Sequence, residues 1–124
     1  NITLHEYGLS DKPGKGELSV AIAQHLGSTR VHPSEGGNIV LKTLDSHNYT
    51  DIDVLKVDVE GLEIPVLNGA RKTLARCSPI IVIERCVLNS TAYGYSKNDS
   101  HKLLVELGYS RAIKITRDCI YTKK

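Results

Sequence analysis

Three carboxylates stand where apolar runs of the sequence end. Asp58 and Glu60 come with the run that holds Val54, Leu55, Val57 and Val59, and Glu84 closes the run from Pro79 through Ile83. A carboxylate at a strand end can orient a substrate hydroxyl or take its proton, once it is within hydrogen-bond reach. Three such groups also offer the oxygen ligands that Mg²⁺ or Ca²⁺ requires. A plainer role competes with each. Asp58 and Glu60 suit the positive N-terminal end of a following helix, and Glu63 reads as a charge of that helix's first turn. Glu84 can pair with Lys56 or Arg85, and this pairing is preferred to a metal site. Lys56 lies inside a strand, where it snorkels or pairs. His25 and His32 fall in a long unpatterned segment and read as surface residues before they read as bases. His5, His47 and His101 belong to no constellation.

The elements that must position these carboxylates are strand, helix and strand. The stretch from Val54 to Val59 is nearly continuous in apolar residues, as a strand buried on both faces is. From Leu62 the apolar positions Val66, Leu67, Ala70 and Leu74 follow the period of one helix face. Pro65 is tolerated only in a first turn, which sets the helix start near residues 61–63. Lys72 and Arg76 then fall toward the C-terminal end, where cations suit the macrodipole. Pro79 opens a second β-branched run ending in Glu84. The unit predicts two parallel strands joined by a crossover helix.

Around this unit, residues 2–9 and 17–23 alternate in polarity and read as strands, separated by the turn cluster 10–16. Residues 24–38 show no period and form the longest loop candidate. Residues 38–45 read as a third strand. After a polar connection, Ser96 and Asp99 match a capping box. The helix they open carries Leu103, Leu104 and Leu107 and stops at Gly108. Residues 110–116 and 118–122 read as strands joined by a tight turn at Arg117 and Asp118.

At 124 residues the chain reads as a single domain. A formal charge of +2, with scattered basic residues, gives no ground for nucleic acid as a partner. No apolar run approaches the ~20 residues that span a bilayer, so no membrane partner is expected. Cys77, Cys86 and Cys119 form neither a CxxC pair nor an even disulfide framework and read as buried thiols. With no secretion signal visible, a reduced, cytoplasmic setting is expected, and the sequon matches at Asn1, Asn48, Asn89 and Asn98 read as polar turns. The chain opens at Asn1 and contains no Met, so upstream sequence, or a non-native start, is also expected.

The segments Thr43–Asp45, Asp53–Ala70, Pro79–Glu84 and Glu106–Tyr109 resemble the FkbM-type methyltransferases. The opening residues 1–11 are similar to that family's third strand and the turn after it. The resemblance implies an α/β, Rossmann-like methyltransferase sheet over residues 1–124, incomplete because the first, glycine-rich βαβ portion has no counterpart. It implies S-adenosylmethionine as cofactor and methyl transfer to a hydroxyl of a sugar or small metabolite. Asp58, Glu60 and Glu84 would be the catalytic candidates, and Gly8, Leu9 and Ser10 would flank the adenine ring. Gly14 with Gly16, and Gly36 with Gly37, sit in polar turns and do not supply the nucleotide loop. Without the family's first strand, residues 54–58 would form a bare apolar edge. The expectation is then either self-association through that edge or a rearranged place for residues 2–9. The alternative function is a non-catalytic remnant or assembly module that keeps the βαβ core.

Overall fold

A computed structural model describes residues 1–20, 29–84, 91–96 and 98–123. His25, Arg85, Cys86 and Asn89 lie outside the described residues, as does the end of the strand expected over 17–23. The chain is mixed α/β, with two four-stranded mixed sheets where a single sheet was expected. The first sheet holds β1 (Gly8–Leu9), β2 (Gly14–Val20), β3 (Thr29–Pro33) and β4 (Ile39–Lys42), in the order β1-β4-β2-β3. The second holds β5 (Val54–Val57), β6 (Ile80–Glu84), β7 (Tyr109–Ile115) and β8 (Asp118–Lys123), in the order β5-β6-β8-β7. Helices α1 (Glu63–Asn68) and α2 (Arg71–Cys77) join β5 to β6, and α3 (Asp99–Glu106) precedes β7.

The βαβ unit forms as its residues dictate. β5 and β6 run parallel, with Val54 opposite Ile80 and Val57 opposite Ile83. Leu55 and Val57 face the core while Val54 and Lys56 are exposed, so β5 is covered on one face only, not on both. The core lies between that face and the helices: Val57, Leu67, Leu74, Ile81, Ile83, Leu104 and Tyr121 are all essentially excluded from water.

The single helix expected over this region is broken at Gly69 and Ala70, although the apolar period runs straight through. Two contacts explain the break. A Cβ on Gly69 would lie 2.0 Å from the Ser10 carbonyl oxygen, so only a glycine lets β1's end sit against the helix pair. The Asp45 carboxylate then accepts the backbone N–H groups of Lys72 (3.0 Å) and Thr73 (2.7 Å), while Asp45 N–H donates to the Gly69 carbonyl (2.9 Å). These are orphan donors of a helix start, met here by a residue distant in sequence. Lys72 thus belongs to a first turn, not to a helix end. Arg76 alone serves the C-terminal end, where its Nε and Nη2 donate to the Tyr49 carbonyl at 2.8 and 2.6 Å.

Elsewhere the local signals held or shifted for stated reasons. Residues 2–6 are exposed and outside any strand, and only Gly8–Leu9 pair, in parallel with Leu41 and Lys42. β2 begins three residues earlier than expected because Gly14 and Gly16 pair with Leu41 and Ile39. Thr29–Pro33, expected as loop, is a strand because it finds β2 as an antiparallel partner. Residues 44–47 leave the expected third strand for a 3-10 turn, with Thr43 Oγ1 accepting from Ser46 N–H (3.2 Å). Ser96 N–H and Oγ both donate to the Asp99 carboxylate, at 2.8 and 2.7 Å, and Gly108 follows α3 at φ 85°. The β7–β8 turn is Thr116–Arg117, with Thr116 at φ 50° and Asp118 already in β8.

The Asp45 cap sets a stability prediction. Asp45→Ala should cost about 1–2 kcal/mol of unfolding free energy. Asp45→Asn, which keeps an acceptor, should recover part of it, as read from urea midpoints at constant slope.

Candidate functional site

The carboxylate rim begins with register. Val57 pairs with Ile83, so Asp58 and Glu84 are the next residues on adjacent parallel strands and emerge side by side. Glu84 also pairs with Asp118 across the antiparallel neighbour β8. Three acids therefore meet on the open face of the second sheet: Asp58 just past β5, Glu84 at the end of β6 and Asp118 at the start of β8. Two cations balance them. Lys56 Nζ lies 3.1 Å from Asp58 Oδ2, and Arg117 Nε lies 3.4 Å from Glu84 Oε1. Lys56 thus takes Asp58, not Glu84. A cavity of about 350 Å³ opens here, lined by Lys56, Val82, Glu84, Thr116, Arg117 and Asp118.

The electrostatics single out Glu84. Loss of water around its carboxyl raises its pKa, and the charge of Asp58 and a hydrogen bond shared with it raise it further. Arg117 pulls it back down, and Asp118 adds a small push upward. Lys56 is raised by its hydrogen bond to Asp58 and by that carboxylate's charge. Glu84 thus holds its proton more firmly than an isolated glutamate, with the Asp58 carboxylate beside it.

Glu60 occupies the turn itself at φ 51°, half-buried, and its charge raises the pKa of Glu63. Glu63 lies in the first turn of α1, as expected, but it is buried there. It is 3% exposed, and its Oε1 accepts the Gly61 N–H at 2.9 Å. Burial raises its pKa most, the hydrogen bonds from the Gly61 and Glu63 backbones lower it, and Glu60 and Asp58 raise it again. Glu63 therefore holds the turn of Glu60 and Gly61 that links β5 to α1.

The residues assigned to the adenine ring are occupied within the protein. Gly8 and Leu9 are strand residues in β1, and a Cβ on Gly8 would lie 2.8 Å from the Leu41 side chain. Ser10 is buried; its N–H donates to the Lys42 carbonyl (2.8 Å), its Oγ donates to Asp11 (3.1 Å), and its carbonyl abuts Gly69. The cavity at Ser10, of about 340 Å³, contains none of Asp58, Glu60 and Glu84. Gly37 packs on the Gly16 carbonyl between two strands, which is a sheet-packing role and not a nucleotide loop. The described residues therefore do not build a cradle for S-adenosylmethionine.

Sequence reasoning missed Arg117 and Asp118 as rim residues, because only the insertion of β8 beside β6 brings them there. The remaining histidines stay away from the rim. His47 stacks between Tyr7 and Tyr49, at ring separations of 5.2 and 5.5 Å, and His32 lies 5.2 Å from the Tyr93 ring. His101 Nδ1 is 3.0 Å from the Tyr121 hydroxyl. Among the described residues, no group of three or more His, Cys, Asp or Glu is arranged to hold a metal ion. Nor, among them, is any helix long and apolar enough to cross a membrane.

Two titrations test this electrostatic layout. Asp58→Asn should lower the Glu84 pKa and Arg117→Ala should raise it, both followed by the side-chain carboxyl ¹³C shift. For Glu63, the raised folded-state pKa means its stabilising contribution is complete below the unfolded pKa and fades as pH rises through the folded value. Glu63→Gln, which keeps the acceptor for Gly61, should therefore match the wild type in acid and exceed its stability at neutral pH.

Comparison with known proteins completes the picture. Residues 41–111, more than half of the chain, match the family model described as the methyltransferase FkbM domain. No curated protein and no solved structure gives a match. The matched span runs from β4 into β7 and contains Asp58, Glu60 and Glu84, while Gly8, Leu9 and Ser10 precede it.

Proposed function

The chain belongs to the FkbM methyltransferase family, and from that premise we propose that it serves methyl transfer to a hydroxyl of a sugar or small metabolite. The rim at the ends of β5 and β6 is the acceptor side. The observation that carries this reading is the adjacency of Asp58 and Glu84 beyond the carboxyl ends of two parallel strands. Ligands of open, Rossmann-like α/β sheets gather at such ends. Glu84 is the group suited to take the hydroxyl proton, because a carboxylate with a raised pKa is the stronger base. Asp58, anchored by Lys56, orients the hydroxyl, and Arg117 holds Glu84 in place. Glu60 stands on the turn beside them and contacts the acceptor beyond its hydroxyl. Fixing the hydroxyl in one orientation is the main source of rate in a transfer of this kind.

S-adenosylmethionine is the methyl donor that the family implies. Gly8, Leu9 and Ser10 are engaged within the first sheet, away from the rim. That observation favours a second reading, in which this chain keeps the βαβ core as a non-catalytic remnant or assembly module.

Calorimetric titration of the 124-residue chain with S-adenosylhomocysteine separates the two. Micromolar binding is expected if a donor site is completed, and Asp58→Ala should then leave that binding intact while abolishing most methyl transfer. An absence of heat at millimolar ligand would sink the enzymatic reading for this chain and leave the second one.

A further inference from the structure

Four described residues other than glycine hold a positive φ: Asn48, Glu60, Ser78 and Thr116. Asn48 and Ser78 end the 3-10 turn and α2, where a left-handed residue is an ordinary way to close a helix. The remaining two stand at the rim: Glu60 at 51°, just past Asp58, and Thr116 at 50°, in the wall of the rim cavity. Backbone strain of this kind gathers at functional sites, where the surroundings hold it in place. Thr116 is the sharper case, because its branched Cβ is crowded in a conformation that glycine adopts freely and asparagine tolerates.

The ladder on either side keeps Thr116 there. Ile115 opposes Asp118 and Lys114 opposes Cys119, so only Thr116 and Arg117 are left to join β7 to β8. Asp118 cannot slide to lengthen the turn, since its other neighbour is Glu84 of β6, and Cys119 and Tyr121 are buried in the core. Two-residue hairpin connections require a positive φ, and their usual residues are glycine, asparagine and aspartate. A threonine in that place costs stability, and the residue it presents is Arg117. The Arg117 Nε lies 3.4 Å from Glu84 Oε1, yet its side chain is 68% exposed. An ion pair so open to water does little to hold its own geometry. The place of the guanidinium must come from the backbone beneath it, and a β-branched residue leaves that backbone fewer conformations than glycine would.

We propose that Thr116 is a positioning residue of the rim: its constrained left-handed backbone fixes the turn that lays Arg117 on Glu84. The inference deepens the reading of the rim as the acceptor side and takes its functional meaning from it. Of the charges that act on Glu84, those of Asp58 and Asp118 raise its pKa and that of Arg117 lowers it, while Lys56 is engaged with Asp58. Loosening Arg117 therefore has one sign.

Thr116→Gly tests the proposal in the 124-residue chain, read by side-chain carboxyl ¹³C titration of Glu84 and by urea unfolding. The pKa of Glu84 should rise, while the urea midpoint matches or exceeds that of the wild type. Thr116→Asn, which accepts a left-handed backbone and keeps a Cβ, should titrate close to the wild type. With Arg117→Ala already present, Thr116→Gly should move Glu84 no further, as for two residues that act through one contact. An unchanged Glu84 titration in Thr116→Gly would overturn the proposal, as would a shift that persists without Arg117. So would a Thr116→Asn chain that shifts as far as the glycine variant. A lower urea midpoint in Thr116→Gly, or loss of its fold on circular dichroism, would also overturn it, because relief of strain does not destabilise a chain. None of these measurements needs a methyl donor, so the proposal can fail while the transfer reading stands, or hold while that reading fails.

Discussion

The Asp45 carboxylate on the N-terminus of α2 is the contact on which the rest of the arrangement depends. It lies three residues beyond β4 and thus fastens the first sheet to the helices that carry the second. Its neighbours share the task. Thr43 caps the 3-10 turn, and Leu44 fills the core between them. The break between α1 and α2 would otherwise expose helix amides in a partly buried position, where an unmet donor costs on the order of 1–3 kcal/mol. With the break secured, α1 can end early enough for Gly69 to receive β1. The sequence Thr43-Leu44-Asp45 and the distant Asn68-Gly69-Ala70 are thus two halves of one joint.

The rim depends on that joint at one remove. The orientation of α1 fixes Glu63, whose buried carboxylate holds the turn of Glu60 and Gly61. That turn decides where β5 stops and therefore how Asp58 meets Glu84. A charged residue placed out of water is costly, and the hydrogen bond from Gly61 offsets only part of the cost. The protein keeps an acid where stability alone would favour a neutral side chain, beside the very residues that the family resemblance marks as catalytic.

What was legible in the sequence was what adjacent residues decide among themselves. The parallel pair β5 and β6, the Ser96–Asp99 lock and the stop at Gly108 all follow from local spacing. The failures came from partners far along the chain. Thr29–Pro33 has no strand period of its own and becomes a strand because β2 is there to pair with it. The apolar period through Gly69 hides a helix break that only the Ser10 carbonyl requires. Glu63 is the first-turn acid its position indicates, and only its burial was hidden. Arg117 and Asp118 reach the rim because β8 inserts between β6 and β7, an ordering that spacing does not encode. Among the residues expected beside the adenine ring, Ser10 directs its N–H to Lys42 and its hydroxyl to Asp11, the first a contact that spacing does not encode.

The contact between Ser10 and Gly69 also bears on how this fold can be divided or recombined. The family match begins at Leu41, which invites a module boundary there. Such a cut would separate the two surfaces in closest approach, since Ser10 lies upstream of it and Gly69 within it. A graft of residues 41–124 onto another N-terminal sheet would have to present a backbone carbonyl at the same place. A donor with a side chain there would force the helices apart, and one with a gap would leave Gly69 as a flexible hole in the joint. The natural unit of exchange is therefore the joint with both its halves, and the first sheet travels with the matched domain instead of serving as an interchangeable leader.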